Sequence, residues 1–329
     1  MAAKRVDAVV NSLVGRPLLA AVTLGSNSFS LLLATPERGL PVIVAKHRRK
    51  VRLARGINDS GQLQPDAAAA GLACLAWFGQ LLRQYQPQVV RVYATAALRQ
   101  ASDSAEFCQQ AQTLLGHAIE IISGEQEARL IYQGMRATTH ATHPRQLMLD
   151  IGGASTELVL GTEQIEGLCS LPLGAVLMTD RHFVRGVTVQ GFANVALDLQ
   201  QTMATSAPAM QQLLLNASNA PLQVLGLSGS FRGVFEWNQY HGRPEILYRA
   251  QIQQLKRRLL QGPITQIEGV DPERYATFAA GIAMIDALMT QLALEQIEPA
   301  GGALREGLLV QLNQLYWDQS VAPVAEFSS

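Results

Sequence analysis

Cysteine is scarce: Cys74, Cys108 and Cys169 are the only three in 329 residues, and none lies in a Cys-x-x-Cys pair. That excludes a disulfide framework or a paired-cysteine zinc cage, and it suits a reduced, cytoplasmic setting. Net charge is absent as well. Lys plus Arg and Asp plus Glu both total 26, so no global field recruits nucleic acid or a membrane surface, and any anion specificity must be local. No apolar run approaches the roughly 18 residues of a membrane span. Lys4 and Arg5 precede an apolar stretch that Asn11 and Arg16 interrupt, which makes a poor signal peptide. Familiar phosphate and hydrolase signatures are also missing. There is no Gly-Lys pair and hence no P-loop, no Gly-x-Gly-x-x-Gly after a strand, no Gly-x-Ser-x-Gly elbow and no His-Glu-x-x-His. His140 and His143 stand three apart without other ligand types nearby, and read as solvated.

What is present is a core and a repeat. Hydrophobic residues make up 48% of the chain, enough to fold, and the length suggests about two domains. Residues 18–24 and 29–34 read as paired strands around LGSNS, and PVIVAKHRRKVRLA as a third strand. A helix over 66–85 behind Pro65, a strand at 89–98 ending at Arg99, a helix and the strand AIEII (118–122) complete an α/β unit. The pattern restarts with QLMLDIGGASTELVLG (146–161), a strand near 167–172, helices near 190–216 and the strand LQVLGLSGS (222–230). The two strand-turn-strand units begin about 126 residues apart, Leu24 to Asp150. Two apolar helical segments follow, and the tail DQSVAPVAEFSS is too small and polar to pack. A duplicated lobe with a cleft between the copies is expected.

The turns are candidate phosphate sites. Glycine lets successive backbone N–H groups approach an anion, and Ser or Thr hydroxyls add donors. LGSNS alone is equally well an ordinary hairpin turn, but DIGGAST (150–156) and GLSGS (226–230) repeat the pattern. Among the acids, Ser123 and Gln126 form a capping box that accounts for Glu125. Glu127 heads an otherwise apolar helical stripe with Leu130, Ile131 and Gly134. Such a carboxylate, partly desolvated at a cleft edge, suits a general base. Asp150 and Glu157 offer oxygen ligands of the kind Mg²⁺ takes, or else stabilise a turn. Lys46, Arg48, Arg49, Lys50, Arg52 and Arg55 form either a solvated face or a funnel for a polyanion.

In order along the chain, LGSNSF, RRKVRLARGIN, ATAALR, SGEQEARLIYQG, LDIGGASTELV, LPLGAV, LSGS and GGALREGLL resemble the exopolyphosphatase and guanosine pentaphosphate phosphohydrolase (Ppx/GppA) family. ARLIYQG, GGASTELV and GGALREGL are closer to the guanosine pentaphosphate branch. The resemblance implies an α/β fold of the actin-like ATPase (ribonuclease H-like) class, two lobes with an interlobe cleft. The expected division is lobe I over 1–124, with a helix at about 303–318 packing back near it, lobe II over 125–302, and a frayed tail at 319–329. It further implies a Mg²⁺-dependent site that removes a terminal phosphate from the alarmone or from short polyphosphate. By resemblance, Glu127 falls on the catalytic base, and Asp150 and Glu157 on acidic metal- and water-positioning residues. Gly25, Ser26, Asn27 and Ser28 match the first phosphate loop, and Gly152, Gly153, Ala154, Ser155 and Thr156 the second. Arg99 matches a phosphate-binding arginine, and Ser228, Gly229 and Ser230 a third turn, with Ser230 in place of a threonine. The expected partner is a phosphorylated small molecule or short polyphosphate, with neither nucleic acid nor membrane, and a homodimer is compatible.

Two departures qualify this. The family carries Asp where this chain has Thr23, which motivates a rival reading as a catalytically weak phosphate- or alarmone-binding protein. The chain also reads as a short form without the C-terminal helical region of long members. A small-molecule kinase on the same fold is a third, less favoured reading.

Overall fold

The computed structural model describes residues 16–58, 60–217 and 221–321. β1 (Leu19–Leu24) is apolar at nearly every position and buried throughout, as a central strand covered on both faces must be. β2 (Ser28–Thr35) returns antiparallel to it, pairing Leu19 with Ala34 and Leu24 with Phe29. β3 (Val42–Lys50) is the outer strand, with Lys46, Arg48 and Arg49 exposed. Helix α1 (Pro65–Tyr85) carries Pro at its first position, where a missing N–H costs nothing. β4 (Val89–Ala94) then runs parallel to β1, and the two-residue β5 (Glu120–Ile121) parallel to β4. Helices α2 (Ala96–Gln100) and α3 (Ser104–Leu115) join these two strands. The sheet order is β3-β2-β1-β4-β5.

After α4 (Gly124–Thr138), the same order is built again. β6 (Gln146–Ile151), β7 (Thr156–Gly161) and β8 (Ile165–Leu171) are antiparallel neighbours. Helices α5 (Ala175–His182), α6 (Val189–Ser206) and α7 (Pro208–Ala217) precede β9 (Gln223–Leu227), which joins β6 in parallel. Helix α8 (Ser228–Tyr240), β10 (Leu247–Tyr248), α9 (Arg249–Gln261) and α10 (Tyr275–Gln291) lead to β11 (Gln296–Pro299), parallel to β9. β10 caps the edge of this sheet. Two sheets of the same strand order make a duplicated, two-lobed α/β fold.

Helices α4 and α11 (Leu304–Val321) lie between the sheets. Leu308, Leu309 and Leu312 of α11 and Leu130 of α4 pack on Leu19, Ala21 and Leu32. Ile131, Tyr132 and Met135 of α4 face Met148, Val159 and Leu225 of the second sheet. The two helices cross with backbones in contact: a Cβ on Gly134 would lie 2.3 Å from the Ala303 carbonyl, and one on Gly307 within 1.8 Å of the Leu130 carbonyl. Only glycine at both positions permits that approach.

Several sequence expectations change. Arg99 does not end a strand: β4 stops at Ala94, and Ala96–Gln100 is a short helix, which Ala-Ala-Leu-Arg-Gln favours by propensity. The helices expected near 190–216 are found as α6 and α7, separated at Pro208. GLSGS is not a turn: Gly226 and Leu227 end β9 and Ser228–Ser230 begin α8 directly. β10, β11, α8 and α9 were not anticipated; the two strands are too short for a period to register. Of the expected frayed tail, 319–321 continue α11 and 322–329 lie outside the described residues. No helix among the described residues is long and apolar enough to cross a membrane.

Candidate active site

The two expected phosphate loops are built alike. The Gly25 N–H donates to the Ser28 carbonyl at 3.2 Å, and the Gly152 N–H to the Ser155 carbonyl at 2.9 Å. Gly25 therefore corresponds to Gly152, and Thr23, rather than Leu24, corresponds to Asp150. Within the described residues, the N–H groups of Ser26, Asn27, Gly153 and Ala154 donate to no carbonyl. Each loop thus presents free donors of the sort that cradle an anion. The carbonyls are used instead to fix the loops: Asn27 accepts from Val51 and Arg52, Ser26 from Ala54, and Gly153 from Val176.

The loops also touch. A Cβ on Gly153 would stand 3.1 Å from the Ser26 Cβ, and Ala154 is buried in the core of the first lobe beside Val176. The second loop is thus docked on the first. Thr156 turns away, its hydroxyl donating to the Leu173 carbonyl at 2.7 Å. Ser228 and Ser230 both donate to the Ile151 carbonyl, at 2.7 and 3.3 Å, so their hydroxyls anchor α8 to the second loop. Ser228 pays for this with a φ of +76°, a conformation costly outside glycine and common at functional sites.

Glu127, Asp150 and Glu157 converge beneath the loops, only 7%, 7% and 1% exposed. Ser123 caps α4 by accepting from the Gln126 N–H at 3.1 Å, which sets Glu127 on the first turn. Gly124 lets this helix end approach β8, since a Cβ there would lie 2.5 Å from the Ser170 Cβ. Arg99 Nη1 lies 3.3 Å from Glu127 Oε2 and donates to the Ile122 carbonyl at 2.8 Å. Burial pushes the Glu127 carboxyl up to about 7, against the pull of Arg99, with the Asp150 charge adding to the rise. Asp150 is pushed up to about 6 by burial, with the Ser228 hydroxyl opposing. Glu157 accepts from Ser170 at 2.8 Å and is raised well above its ordinary value by burial and by the Glu127 and Asp150 charges. Ser170 stands directly across from Glu157 in the β7–β8 register.

Three mutually repelling buried carboxylates with a single guanidinium beside them form an oxygen-only donor set that suits a hard divalent cation. Among the described residues no three His, Cys, Asp or Glu side chains cage an ion outright.

Cations gather at the mouth of the cleft, only partly from the basic run Lys46–Arg55. Arg48 Nη2 donates to the Ser28 hydroxyl at 3.1 Å. Desolvation lowers its guanidinium pKa, and Arg305, Arg232 and Arg274 act in the same direction, with Glu273 opposing. Arg274 holds the Gly229 carbonyl at 3.0 Å and grips Glu236 with two nitrogens at 2.9 Å. These arginines come from β3, α8, the turn before α10, and α11; Arg48 belongs to the basic run noted in the sequence, while no local run could have announced Arg232, Arg274 and Arg305. Arg49, by contrast, turns outward and stacks on Trp77 at 4.5 Å.

The family model of the Ppx/GppA phosphatases matches residues 33–315. The chain belongs to the Ppx/GppA phosphatase family. Its fold is similar to that of an exopolyphosphatase from Cytophaga hutchinsonii (TM-score 0.80, 21% identity, covering 90% of this chain and 98% of that one). It is also similar to the Aquifex aeolicus Ppx/GppA family member (TM-score 0.71, 21% identity, 93% and 99% covered). As a Ppx/GppA phosphatase the protein is a hydrolase, and the residues above are its candidate machinery.

Proposed function

We propose that this Ppx/GppA phosphatase hydrolyses a terminal phosphoanhydride, converting guanosine pentaphosphate (pppGpp) to ppGpp, shortening inorganic polyphosphate, or both. The observation that carries the reading is Glu127, a buried carboxylate tuned to about 7 beneath two apposed loops with free N–H donors. The loop N–H groups hold the oxygens of the terminal phosphoryl group. Water attacks that phosphorus, Glu127 takes its proton, and the bond to the bridging oxygen breaks with its electrons leaving on the shortened chain. Arg99 fixes the Glu127 carboxylate and favours its ionised, proton-accepting form. Asp150 and Glu157 would hold Mg²⁺, which when bound neutralises charge on the phosphoryl oxygens. Phosphate release from pppGpp and from tripolyphosphate, measured in parallel with Mg²⁺, tests this. Loss of turnover in Glu127→Ala with substrate binding retained supports the assignment, and undiminished turnover overturns it.

Thr23 favours a second reading, a weak enzyme that chiefly binds its anion. It is buried at the position that matches Asp150, where the first lobe offers a hydroxyl in place of a carboxylate.

A further inference from the structure

Away from the catalytic carboxylates, the lobes meet across two ion pairs. Lys50 Nζ, at the end of β3, lies 2.5 Å from Glu273 Oε2, in the 3-10 turn Pro272–Arg274 that leads into α10. Arg55 Nε lies 4.0 Å from Asp180 Oδ1 of α5. Beside them is a pocket lined by Ser26, Asn27, Lys50, Arg52, Arg55 and Glu273. Ser26 and Asn27 belong to the first phosphate loop, so the pocket continues directly from the place where a phosphoryl group would be held. Its cations are fixed to that loop. Arg52 adopts a left-handed φ of +58° and donates its N–H to the Asn27 carbonyl at 3.0 Å. Lys50, Arg52 and Arg55 thus line the pocket with one carboxylate, Glu273, while Asp180 reaches Arg55 from outside the lining, and Glu273 is the loosely held partner of Lys50: its side chain is 70% exposed. Exposed pairs of this kind contribute little stability and exchange readily for a more highly charged anion.

We propose that this pocket takes the phosphate beyond the leaving one in an oligophosphate of three or more phosphates, and that Glu273 determines which chains enter. Resting on the phosphoanhydride reading above, a substrate phosphate must displace the Glu273 carboxylate from Lys50. A chain long enough to fill both the loops and the pocket gains Lys50, Arg52 and Arg55. Pyrophosphate, with nothing to place in the pocket, gains none of them.

The test uses the full chain with Mg²⁺, and tripolyphosphate and pyrophosphate as probes. Glu273→Gln lowers KM for tripolyphosphate two- to fivefold, the scale of an exposed ion pair, with kcat changed less, and leaves KM for pyrophosphate where it was. Lys50→Gln raises KM for tripolyphosphate by about the same factor, and the double variant behaves as Lys50→Gln alone because the ion pair that a substrate phosphate must open is already gone. An unchanged KM in Glu273→Gln overturns the proposal, as does an equal fall for both probes, which marks a general charge effect. Should the wild type release no phosphate, the hydrolase reading fails by itself. Calorimetric binding of tripolyphosphate then reads the pocket: tighter binding in Glu273→Gln supports it and equal binding overturns it.

Discussion

Thr23 in the first lobe stands where Asp150 stands in the second. Each lies two residues before the glycine whose N–H closes its candidate phosphate loop, Gly25 on Ser28 and Gly152 on Ser155. Both are buried at the end of a central strand, Thr23 on the face opposite Ala20, Val22 and Leu24 and Asp150 on the face opposite Leu147 and Leu149.

Restoring the carboxylate measures what the hydroxyl has changed. Thr23→Asp adds a charge to a knot that has one arginine, so thermal stability in chelator falls. Affinity for Mg²⁺ and turnover at low Mg²⁺ rise, because a further oxygen ligand of that charge faces the cation. Titrating Mg²⁺ against phosphate release checks this, and a flat response marks Thr23 as a tolerated substitution.

The Arg99–Glu127 pair predicts the pH profile. Only the carboxylate can accept a proton, and burial raises its pKa to about 7, so phosphate release climbs from acid toward neutral pH. Arg99→Gln removes the charge that holds this pKa down. The limb then moves to higher pH, the rate at neutral pH drops severalfold, and part of it returns under alkaline conditions. A rate lost equally at all pH values would assign Arg99 to phosphate binding instead.

Glu127, Asp150 and Glu157 all have raised pKa values, so the folded, metal-free protein binds protons more tightly than the unfolded chain does. Their contribution to stability is fully present below the unfolded carboxyl pKa of about 4 and is lost as pH rises through the folded values. Glu157→Gln removes one buried charge. In chelator at pH 8 its Tm exceeds that of the wild type, the gap closes toward pH 4, and Mg²⁺ binding weakens. Thermal scans across pH read all three effects.

The helix crossing predicts a stability defect. Gly307→Ala drives a methyl group into the Leu130 carbonyl, a backbone atom that cannot rotate away. Overpacking of this kind costs about 1–3 kcal/mol. Denaturant unfolding should show the loss, and Gly301→Ala, where a Cβ would have 3.2 Å to its nearest neighbour, should cost less.

Most of the site was legible because its chemistry sits in short, local signals. Gly25 to Ser28 and Gly152 to Thr156 announce themselves as small, donor-rich turns between apolar strands. Glu127 announces itself as a carboxylate at the head of a greasy helical stripe. Arg99 was identified as a residue and misplaced as structure, since Ala-Ala-Leu reads as strand or helix until Thr95 is seen to leave the sheet. The repeat was found one residue out of step, because sequence similarity aligns Leu-Gly with Asp-Ile-Gly only approximately, whereas the loop hydrogen bonds fix the match at glycine.

By itself the sequence determined the two sheets' leading strands, the two glycine loops, the family and the acids of the candidate site. Each depends on residues adjacent in the chain or on a period of two or three and a half. Tertiary structure alone decided that the loops touch through Gly153 and Ser26, that Ser170 meets Glu157 across a strand pair, and that Arg48, Arg232, Arg274 and Arg305 gather at one mouth. It also decided the pairing of Lys50 with Glu273. Charges brought together from distant segments leave no periodic trace, because the chain's local geometry never had to accommodate them; only the packing of one lobe against the other does.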